Sequence, residues 1–178
     1  MPRLLLCSLL PLLSASLHAQ AGGVSTEWDA RRMLDALTLQ TQHFKSVVAR
    51  VEPKGWVANG APQTYVNQWT TAQNEINYLL ASIDALGKQP ERLPLALDAY
   101  FRMLAMESTF TSVIEGIRKY QNPAIADLLQ GVMNENSANR DKLRQFLTDL
   151  ATQKEQEFQV VDKEAQRCRG VLMKERRK

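Results

Sequence analysis

Cysteine and histidine are nearly missing from this chain, with two of each in 178 residues. Glycine and proline, at 8 and 7, are sparse too, which excludes a collagen-like, low-complexity or disulfide-dense protein. No excess of one charge exists either. The 22 basic and 19 acidic residues leave a net +3, too little to mark nucleic acid or an anionic membrane as partner. No apolar run approaches the about 20 residues of a spanning helix, so no membrane span is expected. Walker, GxGxxG, HExxH and GxSxG motifs are all lacking, and with them the usual marks of an enzyme or of a bound cofactor.

What is present begins with an export pattern. Met1-Pro2-Arg3 precedes an apolar run from Leu4 to Leu13, and small residues at Ala19 and Ala21 form an A-x-A cleavage arrangement. Residues 1–21 are therefore expected to be a signal peptide, 22–173 a single domain and 174–178 a basic tail. The protein is expected to be periplasmic or extracellular. Cys7 sits near the start of the apolar run and not at its end, which argues against a lipid anchor. Cleavage also removes Arg3, Cys7 and His18, leaving a charge of +2 with one cysteine, Cys168, and one histidine, His43. A domain with one cysteine has no internal disulfide, so its core must hold the fold.

That inventory leaves little chemistry. Binuclear carboxylate–histidine bundles carry a Glu-x-x-His motif on each of two helices, and one histidine cannot supply them. Haem held by His43 and Met103 or Met106 is chemically possible but not expected, because a methionine at helical spacing is usually core, and a nucleophilic Cys168–His43 pair lacks a Gly-rich oxyanion turn or other supporting motif. No metal or cofactor is expected.

From Trp28 onward apolar residues recur every three or four positions, with no useful stretch of period two, and the chain reads as all α. Helices are expected at about 26–51, 63–87, 94–120 and from 123 to about 172. Thr26 with Asp29 forms a capping-box pattern, Gly87 suits a helix end, and Pro94 and Asn122-Pro123 suit helix starts. Four amphipathic helices on short connections fit an up-down-up-down bundle with a long or broken fourth helix. That helix would span about 75 Å against about 40 Å for the others, so it breaks or overhangs. The weak helix formers at 134–139 are the candidate break. A core of Trp69, Ile76, Leu80, Phe101, Leu104, Ile114 and Leu129 is expected from the centres of the stripes.

Two features exceed composition. Trp56 and Val57 lie in a loop with two prolines and two glycines, where Trp56 either closes the open end of the bundle or offers a partner a rigid aromatic contact. The distal stripe of helix four, including Phe158, Val161 and Cys168, either folds back after a break to cover a bundle face or, if the helix overhangs, needs a partner, for which coiled-coil association with a second copy is one hypothesis. A parallel register could then bring two Cys168 residues within disulfide reach. The Leu-Thr-x-x-Gln repeat of small periplasmic helical chaperones is not met, because Thr41 and Ala151 stand where its final Gln belongs.

These features point to an exported, non-enzymatic bundle that binds an unidentified protein. The alternative is a carrier of a small apolar ligand held in the bundle interior. N-terminal sequencing of exported protein should find Gln20 or Gly22 first; a retained Met1 would contradict export by cleavage.

Overall fold

The computed structural model describes residues 27–176, so the expected signal peptide, the Thr26 cap and the last two tail residues lie outside the described residues. Four helices follow in order: α1 (Glu27–Val48), α2 (Gln63–Lys88), α3 (Leu93–Tyr120) and α4 (Pro123–Glu175). Each packs against its neighbours in the chain, and α1 also packs on α4, which closes an up-down-up-down bundle. Among the described residues no helix is long and apolar enough to cross a membrane.

The helix starts follow local chemistry. Asn122 is extended and its side-chain oxygen accepts from the Ala124 amide at 2.9 Å, while Pro123 opens α4. Pro94 lies in the first turn of α3. Gly87 is not a left-handed cap, since α2 continues to Lys88 and, among the described residues, only Gly60 has a positive φ, at 85°. That conformation suits a residue with no side chain, and it turns the chain back toward α2.

Inside, a chain of edge-to-face aromatic contacts links the α1–α2 loop to the bundle centre. Trp56 meets Trp69 at 6.2 Å between ring centroids, Trp69 meets Phe110 at 6.4 Å, and Phe110 meets Phe44 at 4.6 Å. All four rings are buried. Such pairs add about 0.5–1.5 kcal/mol each beyond the area they bury. Gly116 admits another ring, because a Cβ there would lie 2.7 Å from Cδ1 of Tyr65.

The core of α3 runs through Ala96, Ala99, Met103, Met106, Phe110, Val113 and Ile117, at alternating intervals of three and four. This corrects the sequence expectation for Phe101, which is 60% exposed, and for Leu80 and Leu104, which are half-buried. For Phe101 and Leu104 the cause is that α3 is apolar on more than one side, so periodicity alone leaves two faces open; on α2 the neighbouring Leu79 takes the core position beside Leu80. The small Ala96 and Ala99 let neighbouring helices approach, and the Met103–Met106 row lies inward.

Helix α4 does not break at 134–139. It runs unbroken for 53 residues. Asn136 and Asn139 are buried instead of opening a turn, and Asn139 donates through its amide to the Gln40 side-chain oxygen on α1. Next to them the Arg140 guanidinium lies 2.9 Å from the Glu107 carboxylate on α3, and that hydrogen bond holds Arg140 above its ordinary pKa. Bonds to two other helices outweigh helix-propensity losses of about 0.5 kcal/mol per residue.

Two outcomes follow for chemical unfolding. Met103→Ala should cost about 2–5 kcal/mol, whereas Phe101→Ala should stay within about 0.5 kcal/mol; equal costs would show that the face of α3 is misplaced. Neither polar atom of the Asn136 side chain finds a protein hydrogen-bond partner, so Asn136→Leu should stabilise the fold by about 1 kcal/mol or more. A loss of stability would show that the amide has a partner in solution.

Candidate functional site

The sequence marks two places where a partner could dock, and the bundle sets them at opposite ends. The first is the α1–α2 loop. After Val48 the chain turns through a single 3₁₀ turn at Pro53–Gly55, and the Trp56 carbonyl then accepts from the amides of Asn59 and Ala61. The loop is stitched to the α3–α4 junction chiefly by one side chain. Oε1 of Gln121 accepts from the Trp56 indole N–H at 3.0 Å and from the Glu52 amide at 2.9 Å. Asn59 adds a bond from its amide to the Tyr120 carbonyl at 3.0 Å.

These bonds decide the role of Trp56. It is 1% exposed, its indole N–H is satisfied and its ring lies against Trp69, so it closes the bundle and is not offered to solvent. Val57 alone of the pair stands on the surface. A groove of about 800 Å³ runs beside the loop, lined by Trp69, Val66 and Tyr120 but also by Glu52, Lys54, Thr70, Gln73 and Gln121. Its mixed lining is that of a wetted surface cleft more than of an apolar ligand site.

The second place is the distal part of α4. Leu150 is its last buried residue, and beyond it about 25 residues, some 37 Å of helix, continue with no buried side chain. On this arm Phe158 and Val161 are 70% and 65% exposed, and Val160, Val171, Leu172 and Met173 are exposed with them. Cys168 is exposed as a free thiol on the same stretch. The arm carries local ion pairs: Lys154 lies 2.8 Å from Glu157, and Arg167 lies 3.5 Å from Glu164. The Lys154 ammonium, and then the Gln153 amide, hold the Glu157 carboxyl below the usual carboxylate range.

The structure therefore groups Phe158, Val161 and Cys168 on one arm and leaves Trp56 and Val57 at the far end, about 50 Å away along α4. It does not bring Cys168 to His43, which lies on α1 level with the Asn136 region of α4. Among the described residues no cluster of His, Cys, Asp and Glu could hold a metal ion. Sequence reasoning missed Gln121, which looks like any polar residue between two helices; its partners come from 65 and 69 positions earlier in the chain. It also missed the exposed Leu97 and Phe101 on α3, whose signal was the apolar character of that helix all round.

Compared with known proteins, the chain matches no protein family, no curated protein and no solved structure. The arm is the feature left without a role inside its own molecule.

Gln121→Ala leaves the buried Trp56 N–H without an acceptor and should cost about 1–3 kcal/mol, while Gln121→Glu, which keeps the accepting Oε1, should cost less. Unfolding followed by tryptophan fluorescence measures both; equal losses would show that Gln121 acts through packing alone.

Proposed function

We propose that this protein is exported and works without catalysis, as a bundle that holds out a helical arm to bind protein. The observation that carries this reading is the exposed apolar stripe of α4 beyond Leu150. Monomeric proteins rarely leave a run such as Phe158, Val161 and Leu172 in water without a use for it, because each buried side chain of this size is worth about 1.5–3 kcal/mol. Ion pairs flank the stripe, as they do at helix–helix interfaces. The bundle supplies the anchor. The core face of α4 down to Leu150, and the bonds of Asn139 to Gln40 and of Arg140 to Glu107, hold the helix from which the arm continues, so the arm is presented in one direction.

The apolar-ligand carrier is supported less well. The side chains at the bundle centre, Phe44, Met103, Met106 and Phe110, are fully buried, and the groove beside Trp56 has a mixed polar and apolar lining.

A photoreactive residue placed at Val161 of the full chain, in the producing cells, tests the reading. Covalent protein adducts are expected from that position and not from Thr111, an exposed position on the bundle. Adducts at neither position, or at both equally, would contradict a binding role for the arm.

A further inference from the structure

The reading of the arm as a binding element leaves its occupant open, and the charges along the arm identify one. Between Phe158 and Leu172 the apolar positions Phe158, Val161, Ala165, Cys168 and Leu172 keep the alternating three-and-four spacing of a coiled-coil seam. Directly beside that seam runs a row at seven-residue spacing: Glu155, Asp162, Arg169 and Arg176, all exposed. None of the four has an opposite charge three or four residues away on its own helix, whereas the neighbouring Glu157 and Glu164 are paired with Lys154 and Arg167. The row reads minus, minus, plus, plus. Such a row complements itself when one copy is reversed against another.

We propose that two copies of this chain pair through their arms as an antiparallel two-stranded coiled coil, with the two-fold axis between Ala165 and Cys168. In this register Val161 packs across from Leu172 of the second copy, and Ala165 packs across from Cys168, two small residues that let the helices approach at the centre. Phe158 closes each end opposite Glu175. Along the flank Asp162 meets Arg169 of the second copy and Glu155 meets Arg176, each contact occurring twice by symmetry.

The alternatives are penalised by the same row. A shift of one heptad either way sets Asp162 against Asp162 or Arg169 against Arg169. A parallel pair sets Glu157 of one copy beside Asp162 of the other, a repulsion that offsets the attraction of Glu164 to Arg169, so the register that would join two Cys168 thiols gains no net attraction from these flanking charges. The antiparallel pair also fits sterically. Arg176 of one arm comes level with Glu157 on the other, and the two Leu150 residues stand about 50 Å apart. The seam is about two heptads long, so the dimer is not obligate and its formation depends on concentration.

Sedimentation velocity on the full chain, from micromolar to hundreds of micromolar, tests this with variants on the exposed row, outside the bundle core. Asp162→Arg and Arg169→Asp should each weaken the dimer about tenfold or more, since two symmetric attractions become repulsions. The double variant should recover it, and mixing the two single variants should give a heterodimer. A parallel dimer predicts the opposite for Asp162→Arg, which would relieve its contact with Glu157 and tighten association. A wild-type chain that stays monomeric throughout, or a dimer that Asp162→Arg leaves unchanged or strengthens, overturns the proposal. If the wild type is monomeric while Val161 still crosslinks to a different protein, self-pairing falls and the binding role of the arm stands; if neither occurs, both fall.

Discussion

A helix can be buried only along the length its neighbours offer. Here α1, α2 and α3 have 22, 26 and 28 residues, and α4 has 53. That mismatch governs the rest of the molecule. The proximal half of α4 is a bundle helix with a core face ending at Leu150, and the distal half is the same helix continued into water. A break at 134–139 would have let the chain fold back and cover itself. The bonds of Asn139 to Gln40 and of Arg140 to Glu107 tie that stretch into the bundle as helix, and so send the remainder outward.

The two ends of the bundle have different characters for this reason. At the α3–α4 junction everything is tied: Gln121 gathers the Trp56 and Glu52 N–H groups, Asn59 reaches Tyr120, and the chain of rings carries the closure into the centre. At the other end the arm leaves with no buried side chain, and its apolar side chains are exposed. A rigid base under a free helix suits recognition, because the base limits the orientations the arm samples and so lowers the ordering cost of binding.

Much of this was legible before the structure. Helix number, order and approximate ends follow from apolar spacing and from punctuation such as Pro94 and Asn122-Pro123, and the excess length of α4 follows from counting. The face of α3 was not legible, because Leu97, Phe101 and Leu104 keep helical spacing as well as Met103 and Met106 do, and only the neighbouring helices choose between them. The continuity of α4 was hidden by Asn134, Asn136 and Asn139, weak helix formers whose partners lie on other helices. Of the residues singled out for function, Phe158, Val161 and Cys168 lie together on the arm. Trp56 serves the core, and Gln121, which holds it, has no local sequence signal.

The central claim is that α4 stays one helix far beyond the bundle. Spin labels on Cys168 and on Lys142→Cys, in a chain diluted with unlabelled protein, measure it directly by dipolar spectroscopy. A continuous helix places the two positions about 39 Å apart along its axis, with a narrow distribution. A much shorter distance would mean that the arm folds back on the bundle, a broad distribution would mean that it is not a helix, and either result would contradict the account.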